Sequence, residues 1–366
     1  MLNPKLKRVC FIINNLQIGG AERLLIETIL KWQQRPHWEL HLVLGDDRID
    51  FDSISSCRLA SLHILPMAST FRRILTLRQY FINHNIDVCV SHLERSNKTA
   101  AIAAMLARIP CVAVVHNINI YPPRAPSGVV AAAIYNLLCW RVVAVSDAVA
   151  EYLNRIGILS TKIKIINNGV DTEAFYHSYA YSFSLNPVTF LFIGRLVPAK
   201  NLSLLLAALG QFDRKCNRWK LIVIGNGVER HSLERQARDL HIVDKVSFID
   251  AIPNPWVLLG DSSVLVFTSV REGMPMVLLE GMSIGLPIIC SNVGQFPIVV
   301  TSENGIVFES GNLHALVDAM CAFSKLSIEE IRSMSIASRR LAAAYDINVC
   351  VDKYCSLAMN ALENSR

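Results

Sequence analysis

Short apolar runs rich in β-branched residues alternate with longer helix-like segments along almost the whole chain. Such alternation is typical of a parallel β-sheet whose strands are joined by helices. In the first half, the strand-like runs lie near Arg8–Asn14, Glu39–Leu44, Ser61–Leu65, Asp87–Val90, Cys111–His116, Arg141–Val145 and Lys164–Ile166. The pattern therefore predicts an α/β fold.

The alternation starts afresh in the second half, which indicates two domains. A stretch without clear periodicity follows Asp171 and ends at Asn186-Pro187, where we place the linker, and a second α/β series begins at Val188. A chain of 366 residues is long enough for two domains that each bury a core. Two Rossmann-like domains in tandem face each other across a cleft, where the carboxyl edges of such sheets bind ligands. We predict domains over 1–175 and 186–345, and a C-terminal helix over 346–366 that packs back toward the first domain.

Composition narrows the class of protein. Hydrophobic residues make up 52% of the chain, yet no run reaches the ~18 uncharged apolar residues that a spanning helix needs. The ten cysteines are scattered without Cys-x-x-Cys pairs, and several lie inside apolar strand-like runs. This usage indicates reduced, buried thiols in a cytosolic protein and speaks against a disulfide framework or a zinc site.

The net charge of +6 is unevenly distributed. Residues 1–180 contain 19 Lys and Arg against 13 Asp and Glu, whereas residues 181–366 contain 17 of each. A basic first half predicts contact with an anionic surface or substrate. The sequence has no helix-turn-helix, zinc-finger or aromatic RNA-binding signature, so we do not expect a nucleic-acid partner.

The stretch from Arg271 to Pro287 has the pattern of a helix start that binds an anion. A β-rich run ends at Thr268, Pro275 suits the first position of a helix, and Gly285 suits its end. The free N–H groups of the helix start would face an anion at the positive end of the helix dipole. These N–H groups belong to Gly273, Met274 and Met276.

Two carboxylates flank this helix start. Glu272 lies on the loop before the helix and Glu280 lies about one turn inside it. Eight residues at helical rise span ~12 Å, about the reach from a sugar across a diphosphate to a ribose. The pair therefore suits a nucleotide-sugar, with one carboxylate on hydroxyl groups at each end, although two glutamates near a helix start are often merely solvated.

Two further loops have the chemistry of phosphate binding. Gly194-Arg195 follows the first strand of the second domain, and Lys200 follows five residues later. Cations there would neutralise a diphosphate, a task that a bound divalent metal can also perform. Gly19-Gly20 follows the first strand of the chain and opens a helix, so its backbone can approach a phosphate or sugar closely. Neither this turn nor Gly225-Asn226-Gly227 completes the Gly-x-Gly-x-x-Gly fingerprint, so we do not expect NAD.

Together these motifs resemble those of the family-four glycosyltransferases, which are retaining, metal-independent enzymes with the GT-B fold. The resemblance covers roughly residues 10–310 and includes Glu-x7-Glu with a glycine after the first glutamate, Gly-Arg followed by Lys, and Gly-Gly-Ala-Glu. It departs from the family at Asn201, where a glycine is usual after the lysine, and at Asp250, where a glycine is usual near the nucleobase.

The resemblance implies a role for each matching residue. Glu272 would hold the hydroxyl groups of the donor sugar and Glu280 the ribose, while Arg195 and Lys200 would stabilise the departing diphosphate. His116, at the end of the fifth strand, matches the histidine that contacts the donor sugar near the reacting carbon, although an isolated histidine there is often an ordinary polar residue. The remaining donor-binding residues would be Gly19, Gly20, Ile252, Gly273, Met274 and Met276.

Two other segments have competing interpretations. Asp50-Phe51-Asp52 matches the metal-binding Asp-x-Asp of the other major glycosyltransferase fold, but it lacks supporting context and we interpret it as a solvated loop. Ser69–Arg78 reads as a basic amphipathic helix, whose Arg72, Arg73 and Arg78 would contact anionic lipid headgroups or would form an ordinary solvated face.

We therefore predict a retaining glycosyltransferase that moves a hexose or N-acetylhexosamine from a UDP- or GDP-sugar to a sugar acceptor. The acceptor would be lipid-linked, as in the assembly of bacterial O-antigen, capsule or lipopolysaccharide, or an oligosaccharide. The enzyme would need no metal or other cofactor and would sit on the inner face of the cytoplasmic membrane. Two alternatives remain open: a sugar-nucleotide epimerase or phosphorylase on a similar fold, and a nucleotide-sugar-binding protein that has lost catalysis.

Overall fold

The structure is a computed structural model that describes residues 6–118, 126–178, 187–259 and 264–364. The chain divides into two compact units. One comprises Met1–Gly169 and Ile347–Arg366, and the other comprises Val170–Asp346. The boundary therefore falls between Gly169 and Val170, six residues before the predicted end of the first domain. Residues 179–186 of the predicted linker lie outside the described residues.

The first unit contains a seven-stranded parallel sheet in the order β3-β2-β1-β4-β5-β6-β7. Its strands are β1 Lys7–Ile13, β2 Trp38–Leu44, β3 Ser61–Ile64, β4 Val88–His92, β5 Cys111–Val115, β6 Arg141–Ala144 and β7 Ile163–Ile165. The helices between them are α1 Gly20–Trp32, α2 Thr70–Asn83, α3 Glu94–Ala107, α4 Pro126–Leu138 and α5 Asp147–Arg155. Every residue of β4 and β5 is buried, as expected for central strands of a parallel sheet covered on both faces.

The second unit contains a six-stranded parallel sheet in the order β10-β9-β8-β11-β12-β13. Its strands are β8 Val188–Ile193, β9 Trp219–Ile224, β10 Val246–Ile249, β11 Val264–Phe267, β12 Ile288–Ser291 and β13 Gly305–Phe308. Its helices are α6 Thr172–Ser178, α7 Leu202–Phe212, α8 Arg230–Asp239, α9 Met276–Ile284, α10 Phe296–Val299, α11 Leu313–Phe323 and α12 Ile328–Ala342. Large side chains from the strands and flanking helices fill the core, among them Phe190, Phe192, Phe212 and Trp219.

The last helix returns to the first unit. This helix, α13, covers Ile347–Glu363 and packs against α1. The Arg35 guanidinium pairs with the Asp352 carboxylate at 2.7 Å and donates to Asn348 Oδ1 at 3.3 Å. The helix predicted over 346–366 is therefore part of the first unit. None of the described helices is long and apolar enough to cross a membrane.

Both sheets follow one plan. In each, the first strand of the unit lies in the middle, the next two strands extend the sheet to one side and the later strands extend it to the other. The strand order therefore reverses between β1 and β4 in the first unit and between β8 and β11 in the second. Ligands of open α/β sheets bind beyond the carboxyl ends of the strands at this switch point. The prediction of two Rossmann-like domains is confirmed, and each unit has one switch point where a site is expected.

Candidate functional site

At the switch point of the second unit, the loops that follow β8 and β11 are hydrogen-bonded together. The Thr268 hydroxyl donates to the carbonyl oxygens of Lys200 at 2.9 Å and Asn201 at 3.0 Å. The Val270 N–H donates to the carbonyl oxygen of Ala199 at 2.9 Å. These bonds fix the backbone around Lys200 against the start of the Glu-x7-Glu stretch, so the two motifs share one edge of the sheet.

Lys200 and Glu272 contact each other directly. The Lys200 ammonium donates to Glu272 Oε1, and the Ser269 hydroxyl donates to the same oxygen at 2.8 Å. The lysine side chain is 18% exposed and the glutamate side chain 11%. The sequence assigned these two residues separate roles on the diphosphate and the sugar, and the structure adds that they form a partly buried ion pair.

Gly294, which was not singled out from the sequence, positions the backbone of Glu272. It has a φ of +57°, and a Cβ atom there would lie 2.1 Å from the Glu272 carbonyl oxygen. The neighbouring Gln295 N–H donates to the Gly273 carbonyl oxygen at 3.3 Å. The loop after β12 is thus packed closely against the Glu-x7-Glu stretch, and its signal in the sequence is a glycine shortly after a buried strand.

The helix start predicted at Pro275 lies one residue later. Pro275 is the N-cap of α9, the helix begins at Met276, and Gly285 ends it with a φ of +101°. The side chains of Met274 and Met276 are buried, so this part of the loop can contact a ligand mainly through its backbone groups. The loop from Gly273 therefore leads directly to the positive end of the α9 dipole, as the anion-site prediction requires.

Glu280 lies inside α9 and is 1% exposed. The Trp256 indole Nε1–H donates to its Oε2 atom at 2.7 Å. Trp256 was not singled out from the sequence, where its only signal is a tryptophan in the short segment Asn254-Pro255-Trp256. A buried carboxylate needs hydrogen-bond donors to remain stable. Trp256 therefore fixes the orientation of Glu280, the carboxylate that is predicted to bind the ribose.

Two glycines beside this site allow neighbouring loops to pack closely against each other. A Cβ atom at Gly225 would lie 1.9 Å from the Gly194 carbonyl oxygen, and one at Gly227 would lie 2.1 Å from the Leu196 carbonyl oxygen. The incomplete fingerprint around Asn226 therefore lets the loop after β9 approach the loop after β8. Arg195, on that loop, has an exposed side chain.

The predicted donor-site residues outside this edge lie as follows. Ile252 is half-buried in the loop after β10, in the second unit. In the first unit, Gly19 is the N-cap of α1 and Gly20 is its first residue, so this turn opens a helix as predicted. Among the described residues, no cluster of three or more His, Cys, Asp or Glu side chains could hold a metal ion. In the Asp50-Phe51-Asp52 triplet, the Asp50 carboxylate accepts a hydrogen bond from the Ile18 N–H at 3.0 Å.

His116 follows β5 and stacks on a second histidine. Its Nε2 atom lies 3.1 Å from Nδ1 of His92, and the ring centroids are 5.3 Å apart. Burial lowers the pKa of His116 to about 4 and lowers the pKa of His92 well below its usual value. Both rings are therefore neutral at pH 7. Since Nε2 of His92 has no partner among the described residues, we assign its proton to Nδ1, which donates to His116.

The three arginines of α2 have different surroundings. Arg72 is exposed, and the Arg78 guanidinium donates to the Leu106 carbonyl oxygen at 3.3 Å. Arg73 is half-buried, and its Nη2 atom donates to the Gly45 carbonyl oxygen at 2.6 Å. This side chain is therefore directed at the loop after β2, and its predicted contact with lipid headgroups stays a prediction.

Comparisons with known proteins agree with this geometry. The protein-family model of Glycosyltransferase Family 4 matches residues 18–174, and the protein-family model of Glycosyl transferases group 1 matches residues 180–340. A galactosyltransferase of Escherichia coli, UDP-Gal:α-D-GlcNAc-diphosphoundecaprenol α-1,3-galactosyltransferase, is 23% identical over 82% of this chain and 82% of its own. An uncharacterised glycosyltransferase of Haemophilus influenzae is 30% identical over 45% of this chain, and the match spans about half (47%) of that relative.

The fold is shared with a solved structure. HepE of Anabaena in complex with UDP-glucose superposes with a TM-score of 0.83 at 20% identity, over 96% of this chain and 99% of that one. The two family models together account for both units of the chain and for the Glu-x7-Glu edge. The chain therefore belongs to the family-four glycosyltransferases, and it is a hexosyltransferase with the GT-B fold.

Proposed function

We propose that the protein is a retaining glycosyltransferase that moves a hexose or N-acetylhexosamine from a nucleotide-sugar to a lipid-linked sugar acceptor. UDP is the nucleotide that we propose first for the donor. The Escherichia coli relative is named for a UDP-galactose donor and a diphosphoundecaprenol-linked acceptor. The solved neighbour carries UDP-glucose. The process served would be assembly of a bacterial surface polysaccharide, such as O-antigen, capsule or lipopolysaccharide.

The observation that supports this proposal best is the Lys200–Glu272 pair beside the start of α9. In our proposal the donor diphosphate lies at the N–H groups of Gly273, Met274 and Met276, and Lys200 and Arg195 stabilise the charge that develops on it. Glu272 accepts hydrogen bonds from the sugar hydroxyls. Glu280, oriented by Trp256, accepts those of the ribose.

The chemical step needs no separate base in this scheme. The bond between the anomeric carbon and the diphosphate oxygen breaks while the acceptor oxygen bonds to that carbon on the same face. The departing diphosphate takes the proton of the acceptor hydroxyl. Neutral His116 holds a hydroxyl group of the donor sugar near the reacting carbon, as the resemblance implies, and His92 fixes the ring nitrogen that carries its proton.

We further propose that the first unit attaches the enzyme to the inner face of the cytoplasmic membrane. On and just before α2, the apolar side chains of Met67, Phe71 and Leu75 are 98%, 71% and 43% exposed, and Arg72 lies beside Phe71. An exposed basic and apolar helix face favours the headgroup region of an anionic bilayer. Arg72 supplies the exposed charge of this face, while Arg78 is half-buried and donates to the Leu106 carbonyl oxygen, and Arg73 is directed at the loop after β2.

A donor screen tests the proposed function. UDP and GDP sugars would be compared by thermal shift, since a ligand that binds only the folded state raises its melting temperature. We expect one nucleotide class to stabilise the protein, and less strongly after Glu280→Gln. The stabilising donor is then incubated alone, with orthophosphate, and with a lipid-diphosphate sugar acceptor. Turnover without an acceptor would identify an epimerase, turnover only with orthophosphate a phosphorylase, and binding without turnover an inactive binding protein.

A further inference from the structure

The first unit has a cavity of about 270 Å³ at its own switch point. It lies at the carboxyl ends of β1 to β4, the edge at which open α/β sheets bind ligands. Its wall includes Asn14 after β1, Gly45 after β2 and Leu65 after β3, together with the N-terminal parts of α2 and α3. The volume is below the ~300–1,000 Å³ of pockets for drug-sized ligands, so it suits a phosphate or diphosphate group.

The cavity carries an excess of positive charge. Three cations line it, Arg73, Arg95 and Lys98, against one carboxylate, Glu94. Lys98 and Glu94 pair with each other at 2.7 Å, four residues apart on α3. In the part of the chain that the structure describes, neither arginine has a carboxylate within ion-pair distance. Two guanidinium groups therefore remain as the unbalanced charge of this cavity.

Arg73 is held in place by contacts that leave its charge unbalanced. Its Nη2 atom donates to the Gly45 carbonyl oxygen at 2.6 Å. A Cβ atom at residue 45 would lie 2.7 Å from the same nitrogen and 2.8 Å from the Asn14 carbonyl oxygen, so a glycine lets both groups approach this loop. Burial, and then repulsion from Arg95, lower the pKa of Arg73, and the Asp46 carboxylate, which is paired with Arg48, offsets this only in part. Arg73 stays charged because arginine does not deprotonate in proteins.

Such an arrangement is costly unless an anion completes it. A half-buried cation loses hydration, and a second cation nearby adds repulsion. Guanidinium groups bind phosphate oxygens through paired N–H donors. A multiply charged anion in the cavity would therefore replace the lost hydration of Arg73 and offset its repulsion from Arg95. The same helix presents Phe71 and Leu75 to solvent, roughly 200° around the α2 axis from Arg73, so these apolar side chains do not line the cavity. A multiply charged anion fits the cavity, and an apolar chain attached to it would have to extend to the exposed side of α2.

We propose that this cavity binds the diphosphate of a lipid-linked acceptor, with Arg73 and Arg95 as its ligands. The inference rests on the proposed function for the identity of the acceptor, and it adds the group that is recognised and the residues that recognise it. The diphosphate of the nucleotide donor has the same chemistry. The experiment must therefore separate the two sources.

Geranyl diphosphate and UDP serve as probes in calorimetric titrations of the full-length protein. We expect Arg73→Gln and Arg95→Gln each to weaken geranyl diphosphate about tenfold, the loss typical of a charge-assisted hydrogen bond, and to leave the dissociation constant of UDP unchanged. Geraniol, which lacks the diphosphate, should bind equally weakly to wild type and variants. Arg108→Gln, at the exposed end of α3, is the matched control and should change neither probe.

Gly45→Ala provides a variant that keeps both charges but crowds the Arg73 guanidinium and the Asn14 carbonyl oxygen in the cavity wall, and it should also weaken geranyl diphosphate. Because Arg95 is exposed, Arg95→Gln keeps the test valid should Arg73→Gln fail to fold. A loss of UDP affinity with unchanged geranyl diphosphate would assign the cavity to the donor and overturn the proposal. Unchanged affinity for both probes would overturn it as well. These titrations need no turnover, so they remain decisive even where the transfer assay fails.

Discussion

The two sheet edges of this chain have the same strand order but opposite charge arrangements. At the edge of the second unit, Lys200 is paired with Glu272, so the cation is neutralised by a residue that is itself predicted to touch the donor. At the edge of the first unit, Arg73 and Arg95 have no such partner among the described residues, and the only lining carboxylate is used by Lys98. In the proposed function, Lys200 at one edge can exchange its contact with Glu272 for a contact with the leaving diphosphate. The other edge keeps a positive charge that no carboxylate neutralises among the described residues.

This difference explains part of the uneven charge in the sequence. The excess of Lys and Arg lies entirely in residues 1–180, and some of it is concentrated in the cavity of the first unit. A permanent positive charge suits a group that must be held, such as the anionic headgroup of an acceptor. A paired cation suits a site where charge develops only as the bond breaks, since binding energy reserved for the transition state raises kcat.

Removing the cation of the second edge should have the largest effect. We expect Lys200→Met to lower kcat/KM about 10²- to 10³-fold, the scale for losing one preorganised donor, and Arg195→Met to act in the same direction. Lys220→Met, an exposed lysine on β9, is the control. If Lys200 and Arg195 do the work of a metal, activity should persist in excess EDTA. Loss of turnover on chelation, restored by Mn²⁺, would contradict that role.

The two glutamates should separate binding from turnover. We expect Glu280→Gln to raise KM and the dissociation constant of UDP, and Glu272→Gln mainly to lower kcat, because an interaction made chiefly in the transition state affects kcat. Trp256→Phe removes one hydrogen bond to Glu280 and should weaken UDP about tenfold. Steady-state kinetics and titration with UDP check this. The reverse pattern for the glutamates would exchange their roles.

The histidine pair predicts a pH dependence confined to the first unit. Burial lowers the pKa of His116 to about 4, from ~6.5 in an unfolded chain. Between these values the unfolded state binds more protons, so the contribution of a neutral His116 to stability is complete above pH ~6.5 and is lost as the pH falls toward 4. The melting temperature of the wild type should fall more between pH 7 and 5 than that of His116→Asn. Parallel curves would remove this assignment.

The smallest effect concerns attachment to the bilayer. Each basic residue near an anionic surface contributes ~1 kcal/mol within a Debye length of ~8 Å. We expect co-sedimentation with anionic but not zwitterionic vesicles, release near ~0.5 M salt, and weaker binding after Arg72→Glu combined with Phe71→Ser. Arg155→Glu, an exposed residue of α5, is the control. Equal sedimentation with neutral vesicles would leave the α2 face as an ordinary solvated surface.

Much of the fold was predictable because its signals are local. Strand runs, the proline before α9 and the glycine after it are short-range patterns that the structure reproduces within one or two residues. Glu272 and Lys200 were singled out from the sequence as well, but their contact was not predictable, since it depends on two loops 72 residues apart. Trp256, Gly294 and His92 were missed for the same reason: each acts through a partner that is distant in sequence.

Arg73 shows where a local signal was present but was not used. It lies four residues before Leu77, which is fully buried, so helical periodicity places both on the face turned toward the sheet. Arg72, one residue earlier, falls on the exposed side. Interleaving of basic and apolar residues indicated an amphipathic helix, and only the phase of the helix separates the arginine of the cavity from that of the surface.

The anomeric configuration of the product tests the assignment of the second edge most directly. A UDP-α-sugar that stabilises the protein is incubated, in excess EDTA, with a lipid-diphosphate sugar acceptor, and the new linkage is determined by NMR. Retaining transfer at the Lys200–Glu272 edge predicts an α-linked product that forms without added metal and is nearly absent with Lys200→Met. A β-linked product, or equal yield from wild type and Lys200→Met, would contradict it.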